Sequence, residues 1–486
     1  MLFWRVKPLD DILATAEKKS LTRTLGAAQL TMLGIGAIIG TGIFVLTAEA
    51  ATKAGPAMMI SFVIAAAVCA VAALCYAEMA SMVPVSGSAY TYSYATMGEL
   101  VAWIVGWALV LEYAIAASAV SVGWSGYMVR LVEEIFNVSV SPMWTNGPFD
   151  KTPGILNVPA LGIALLVTAL LVRGTKESAR FNAVLVAVKL VALGLFIILA
   201  VPAINSANFE PFMPNGFFAK NVTDPLTGSM ITVGVSAAAA SIFFAYVGFD
   251  AVSTAAEETI NPNRNIPIGL IGSLAICTVI YLLVAAGAIG SVGAQPDGPL
   301  AASKEALAFV LRETGHGWAG DLVAIAAGLA LPSVVLMMMF GQTRIFFVMA
   351  RDGLLPSVFS KLHPKYGTPH VVTMCTGAFV AVFAALFPVG KLADISNSGT
   401  LFAFFTVAVG ILILRRTEPN RHRSFRTPAV WVVAPLAIVG CVFLFFQLSG
   451  YTELMFAGWA VIGLFVYALY GYRKSHVAKA IAAPAE

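Results

Sequence analysis

Between residues 34 and 44 the chain reads Gly-Ile-Gly-Ala-Ile-Ile-Gly-Thr-Gly-Ile-Phe, four glycines within nine positions of an otherwise apolar run. Each glycine weakens a helix interior by up to about 1 kcal/mol relative to alanine. A second run, Phe243-Phe244-Ala245-Tyr246-Val247-Gly248-Phe249-Asp250, places a glycine and an aspartate in the middle of an apolar stretch. Backbone unwound at membrane depth is tolerated only where it lines a cavity or is buried in protein. The start of a second half-helix then offers unpaired N–H groups and a partial positive charge. Gly40, Thr41, Gly42 and Ile43 are placed to hold a carboxylate in this way, and carbonyls near Ile38, Phe244, Ala245 and Val247 to accept bonds from an ammonium. Such a pair of cradles suits a small zwitterion or anion. Close helix packing through small residues, with Gly36 and Gly40 at the favoured spacing, is the structural alternative, and the two roles can coexist.

Ionisable side chains inside apolar runs are expensive and mark function by default. Lys189 lies between Phe181 and Leu199, a run with no other polar residue except Asn182. Snorkelling towards one surface is its bland reading. Facing the helix bundle, it becomes an amine that gains and loses a proton as its cavity alternately hydrates, a proton-coupling device. Glu112, in Val110-Leu111-Glu112-Tyr113-Ala114, is expected to face the interior, in contact with substrate, beside a buried cation or in a structural hydrogen bond. Asp250 follows the second break as a gate or as a helix-end partner of nearby N–H groups. Glu257 and Glu258 precede Asn261-Pro262 and read as a solvated helix end or part of a gate. Met337, Met338 and Met339 read as core packing; one of them turned towards substrate would favour a neutral side chain.

The elements that carry these residues follow from composition. The 486 residues are 59% hydrophobic and 11% charged, against roughly 25% charged in an ordinary soluble domain. The apolar runs reach the roughly 20 residues that cross a bilayer as helix, and they lack the period-two alternation of a barrel. Twelve spans are expected, at 28–50, 57–80, 100–128, 155–172, 181–203, 231–256, 266–291, 319–350, 370–388, 396–414, 428–448 and 453–472. Of the 29 Lys and Arg, 21 fall in segments on the side of the N-terminus, 7 in those opposite, and Lys189 lies within a span. That bias places both termini in the cytoplasm, with the cluster from Arg415 to Arg426 set against the anionic inner leaflet. The first 27 residues are polar, and a cleaved signal peptide is not expected. The five cysteines sit in apolar runs with no Cys/His cluster, so neither a disulfide framework nor a metal site is expected. No GxxxxGK[ST] loop or HExxH pair is present, and no enzymatic chemistry is expected.

Five stretches together resemble the amino acid–polyamine–organocation superfamily, in its bacterial cationic-amino-acid-transporter-like branch. They are GIGAIIGTGIFVL (34–46), PVSGSAYTYSYATMGEL (84–100), FFAYVGFDAVSTAAEE (243–258), GQTRIFFVMARDGLLP (341–356) and NSGTLFAF (397–404). The resemblance implies an all-α polytopic protein with a 5+5 inverted-repeat core (LeuT-like) whose helices 1 and 6 are broken. It divides the chain into a cytoplasmic segment 1–27, a first repeat 28–203, a second repeat 231–414, peripheral helices 11 and 12 at 428–472, and a cytoplasmic tail 473–486. By motif, Thr41 and Gly42 look like carboxylate contacts, Ile38, Phe244, Ala245 and Val247 like amine-side backbone contacts, and Phe244 also like an aromatic gate. Lys189 matches the fifth-helix lysine of proton-coupled members. Glu112, Asp250 and Tyr281 fall in what looks like the branch's site and relay region, and Met338 looks like a side-chain-pocket residue. Leu331-Pro332-Ser333 in span eight departs from the pattern. The expected activity is secondary active transport of L-amino acids, neutral ahead of cationic, by proton symport in a bacterial inner membrane. An exchanger and a membrane amino-acid sensor are the alternatives. The expected partners are the amino acid, protons and membrane lipids, with no cofactor and no nucleic acid; a small membrane subunit is left open.

Overall fold

The apolar runs are helices in the computed structural model, which describes residues 6, 9, 25–83, 88–174, 179–223, 230–256 and 259–476. Glu257 and Glu258 lie outside the described residues. Span one is two half-helices, Ala27–Ile38 and, through the turn Thr41–Phe44, Leu46–Ala54; Gly55–Ala57 then turns the chain into span two, Met58–Met82. Spans three to five are Glu99–Phe136, Val158–Arg173 and Ala179–Ala200. Span six is Val235–Ile242, the 3₁₀ turn Phe243–Tyr246 and Ala251–Thr254. Spans seven to ten are Pro262–Val292, Gly317–Arg351, His370–Leu386 and Val389–Thr417; eleven and twelve are Val430–Phe445 and Gly450–Val466. The 38 residues of span three exceed what a perpendicular crossing needs, so it tilts or protrudes. Span eight is continuous through Pro332, whose missing N–H leaves Gly328 O without its helical donor; the Trp124 indole of span three donates to that carbonyl at 2.9 Å.

Three boundaries differ most from the sequence reading, the first being the end of span three, which runs on to Phe136 rather than 128. Residues 230–233, assigned to span six, form strand β2 (Met230–Val233), paired antiparallel with β1 (Lys220–Thr223). Gly234, at φ +122°, turns the chain from strand to helix, a conformation that only glycine adopts freely. Span ten begins at Val389 rather than 396 because Pro388 caps it, and this draws Lys391 and Asp394 into the helix.

Spans one, two, six and seven pack as one bundle, and spans three, four, eight and nine as another. Span five lies against spans one, seven and eight, and span ten against two, three and six. The two broken helices are joined on the N-terminal face, where Leu25 and Thr259 form a parallel β-bridge and Ile260 N–H donates to Leu25 O at 2.8 Å. On that face Glu78 of span two is fully buried. It accepts from Arg415 (2.7 Å) and from Thr427 N–H (2.7 Å), and pairs with Arg423 Nε at 3.0 Å. Part of the arginine cluster is thus a specific tie between span two and the end of span ten. Span twelve is fixed to span three by indoles: Trp107 stacks on Trp459 at 4.6 Å, and each donates to the other's carbonyl at 2.8 Å.

Candidate functional site

The first break falls at Ile39 and Gly40. Ile39 N–H still reaches Ile35 O (2.9 Å), Gly40 leaves the helix at φ −150° and ψ −148°, and helical backbone resumes at Thr41. The N–H groups that follow have no carbonyl one turn earlier to bond to. The second break follows Ile242, and the chain turns through Gly248 at φ +115°. The two breaks touch. A Cβ on Gly42 would overlap the Cα of Ala245, and one on Gly248 would lie 2.9 Å from Ala37 O. Ile38, Thr41, Gly42, Ile43, Phe244, Ala245 and Val247 are all buried at this contact.

Two donors converge on the end of the first half-helix. Lys189 Nζ donates to Gly36 O at 2.8 Å, and Tyr281 OH to Ile38 O at 2.9 Å. Lys189 is 1% exposed, so it does not snorkel, and a carbonyl rather than a carboxylate meets its amine. Tyr281 lies one turn from Cys277 on span seven, which is close to Lys189, so a single face of that span addresses the first break. A carbonyl oxygen has two lone pairs, so Ile38 O keeps acceptor capacity. Phe244 O likewise accepts once, from Val247 N–H at 3.2 Å.

Beside the breaks lies a carboxylate pair. Asp250 Oδ2 accepts from Tyr113 OH at 2.9 Å, while Asp250 Oδ1 and both oxygens of Glu112 are buried with no hydrogen-bond partner among the described residues. The two carboxyls lie within electrostatic reach of each other. Gly399 lets span ten close on this point, since its missing Cβ would lie 3.2 Å from Glu112 Cβ. Met338 is buried on span eight one turn beyond Val334, whose methyls lie 3.5 Å from where a Gly40 Cβ would stand. Met338 therefore shares the helix face turned towards the first break.

A cavity of about 1140 Å³ opens on the face opposite the N-terminal segment; Val45, Glu49, Gly123, Arg130, Glu305 and Asp394 are among its walls. None of the expected site residues lines it. Its floor at Val45 and Gly123 rests on Thr41, whose Cγ2 would lie 2.6 Å from a Gly123 Cβ. Thr41 Oγ1 is buried there without a hydrogen-bond partner among the described residues.

One cluster escaped the sequence reading. Lys53, counted there among loop cations, is 8% exposed; its amine pairs with Asp394 Oδ2 at 3.1 Å and donates to Ser241 Oγ. Ser241 Oγ in turn donates to Asp394. The available signal was Asp394, three residues before the NSGT stretch, so on its helix face.

A model of the family described as "Amino acid permease" matches residues 25–470. The "Branched-chain amino acid permease BcaP" of Bacillus subtilis (strain 168) is 45% identical over 474 residues, covering 97% of this chain and 98% of that protein. The "Methylthioribose transporter" of the same organism is 42% identical over 473 residues, again covering 97% and 98%. The "Cationic amino acid transporter 9, chloroplastic" of Arabidopsis thaliana is 36% identical, covering 94% of this chain and 79% of that one.

Proposed function

Because this chain belongs to the amino acid permease family, we propose that it is a secondary active transporter that carries a neutral L-amino acid together with protons. Gly40 to Ile43 hold the substrate carboxylate through backbone N–H groups, and the carbonyls of Ile38, Phe244, Ala245 and Val247 hold its ammonium. Met338 faces the side chain, and its apolar thioether favours a neutral one. Glu112 and Asp250 act as a relay beside the site. Both termini lie in the cytoplasm, the cavity opens outside, and residues 28–203 and 231–414 work as two inverted repeats.

The observation that carries the proton reading is the bond from Lys189 Nζ to Gly36 O, two residues from the end of the first half-helix. The amine holds that half-helix in place while it keeps its proton. On losing it, the amine has one donor fewer and no charge, and the first half-helix is freed to move. Protonation and movement of the broken helix are linked at one bond, as coupling by alternating access needs.

Uptake of labelled L-leucine into proteoliposomes is the test. Accumulation is expected with an inward proton gradient and absent without one. Lys189→Met is expected to abolish accumulation while leucine counterflow continues; a variant that still accumulates leucine on a proton gradient would overturn the coupling role. Counterflow by the wild type with no response to a proton gradient would favour an exchanger. Methylthioribose has neither carboxylate nor ammonium, and its full competition with leucine would overturn the zwitterion site.

A further inference from the structure

The last i to i+4 bond in the first half of span six runs from Phe243 N–H to Ala239 O. The carbonyls of Ala240 and Ser241 come next, and in a continuing helix they would take the N–H groups of Phe244 and Ala245. Span ten occupies them instead. Asn397 Nδ2 donates to Ala240 O at 2.7 Å and to Ser241 O at 3.1 Å. One turn earlier on the same face, Asp394 accepts the Ser241 hydroxyl and pairs with Lys53 at 3.1 Å. Ser241 is thereby held at both its carbonyl and its side chain. Asn397 is completely buried, and the carbonyls it caps stand directly before the segment Phe243–Val247.

We infer that Asn397 is a positioning residue for the ammonium half of the substrate site: it caps Ala240 and Ser241 and so keeps the second helix break open. This rests on the reading above that the carbonyls of Phe244, Ala245 and Val247 receive the substrate ammonium. The physical reason is the cost of unpaired buried carbonyls. With the amide present, the α-helix can stop after Ile242 while Ala240 O and Ser241 O keep a partner. Without it, two buried carbonyls are left unpaired, a costly state, and the cheapest repair is to extend the helix by those two N–H groups. That extension turns the carbonyls of Phe244 and Ala245 along the helix axis and out of the site. Asn397 need not touch substrate to act, and its place on span ten makes the break responsive to where that span stands.

The test compares L-leucine with its α-hydroxy analogue, 2-hydroxy-4-methylpentanoate, as competitors of labelled leucine counterflow in proteoliposomes of the full chain. The analogue keeps the carboxylate and side chain and lacks the ammonium. The wild type is expected to prefer leucine. Asn397→Asp keeps the shape but donates to neither carbonyl when ionised and to only one when protonated, and is expected to raise the KM for leucine about tenfold with little change in kcat. Competition by the hydroxy acid is expected to stay constant, so the preference for the amine collapses. Asn397→Ser is neutral, smaller and able to donate to only one carbonyl; it is expected to lose about threefold, and it serves if the aspartate variant does not fold. Variants that keep the wild-type preference overturn the inference alone. Equal loss for both ligands assigns Asn397 a merely structural part, and also overturns it. A wild type that does not distinguish amine from hydroxyl overturns the ammonium reading itself and this inference with it.

Discussion

Gly40 and Gly248 stand at the two helix breaks, yet the physical demands on them differ. Gly40 keeps a negative φ of −150°, outside the left-handed region, and a Cβ there would meet Val334 at 3.5 Å, an ordinary contact. Gly248 sits at φ +115°, where an L side chain is strained, and its Cβ would lie 2.9 Å from Ala37 O. Gly248→Ala is therefore expected to cost about 1–3 kcal/mol, read as a lower midpoint of thermal unfolding in detergent, with loss of leucine uptake. Gly40→Ala is expected to leave the midpoint nearly unchanged, so any loss of transport it causes belongs to the site. Equal destabilisation by the two would refute this distinction. In the sequence the two residues are both simply glycines in apolar runs; only the contact between the two broken helices separates a steric requirement from a tolerant position. Lys189 was more legible, because a lone amine in a run from Phe181 to Leu199 has few places to go. What the sequence could not supply was its acceptor, a carbonyl 153 positions away.

At the scale of helices, long apolar runs and clustered glycines carry their own signal, and the spans and both breaks were readable from them. Connections between helices distant in the chain were not. Asn397 caps carbonyls 157 and 156 positions away, and Lys53 meets a carboxylate 341 positions away; nothing local in either sequence segment records the partner. The start of span six was misplaced for a related reason: Met230–Val233 is apolar enough to join a span, but its backbone pairs with Lys220–Thr223. The same blindness hid Glu78, which lies in an apolar run and collects Arg415, Arg423 and the Thr427 N–H. Breaking a buried ion cluster by removing one partner leaves uncompensated charge and typically costs roughly 3–5 kcal/mol. Glu78→Ala is expected to lower the thermal midpoint strongly, whereas Glu418→Ala, which removes only a 40%-exposed partner of Arg421, is expected to change it little. Because the Glu78 cluster ties span two to span ten on the N-terminal face, cleavage by protease in the connection between spans ten and eleven should accelerate in the first variant and not in the second.

The whole molecule is asymmetric about its middle. One face is closed by the β-bridge of Leu25 with Thr259 and by the Glu78 cluster, while the other holds the cavity of about 1140 Å³. The rim of that cavity includes the two short helices Pro299–Ala302 and Ala306–Glu313, between spans seven and eight. They join both helix bundles. Thr52 Oγ1 of span one donates to Ala301 O at 3.2 Å, and Arg312 binds Glu305, Glu134 of span three (2.6 Å) and Asp321 of span eight (3.2 Å). Arg130 and Glu133 of span three complete the charged ring around Glu305, and Lys304 beside it is engaged by Asp150 at 3.3 Å. Glu305 is 6% exposed, and one of its oxygens has no hydrogen-bond partner among the described residues. Burial pushes its carboxyl up to about 7 from an ordinary 4.5, against the pull of Arg312 and with the neighbouring charge of Glu134 adding to the rise. A folded-state value above the unfolded one means that the native protein binds this proton more tightly. The resulting stabilisation is full below about 4.5 and is lost as pH rises through about 7. At 1.36 kcal/mol per unit this amounts to about 3 kcal/mol across the window, enough to bias the seating of the two short helices on the rim. Glu305→Gln, neutral at every pH, is expected to flatten the fall in thermal midpoint between pH 5 and pH 8. Leucine uptake by that variant, driven by a fixed pH difference across the vesicle, should respond less to the outer pH than uptake by the wild type. A slope unchanged by Glu305→Gln would place the titrating group elsewhere on the rim. Loss of all gradient-driven accumulation would instead make Glu305 part of the coupling path proposed for Lys189.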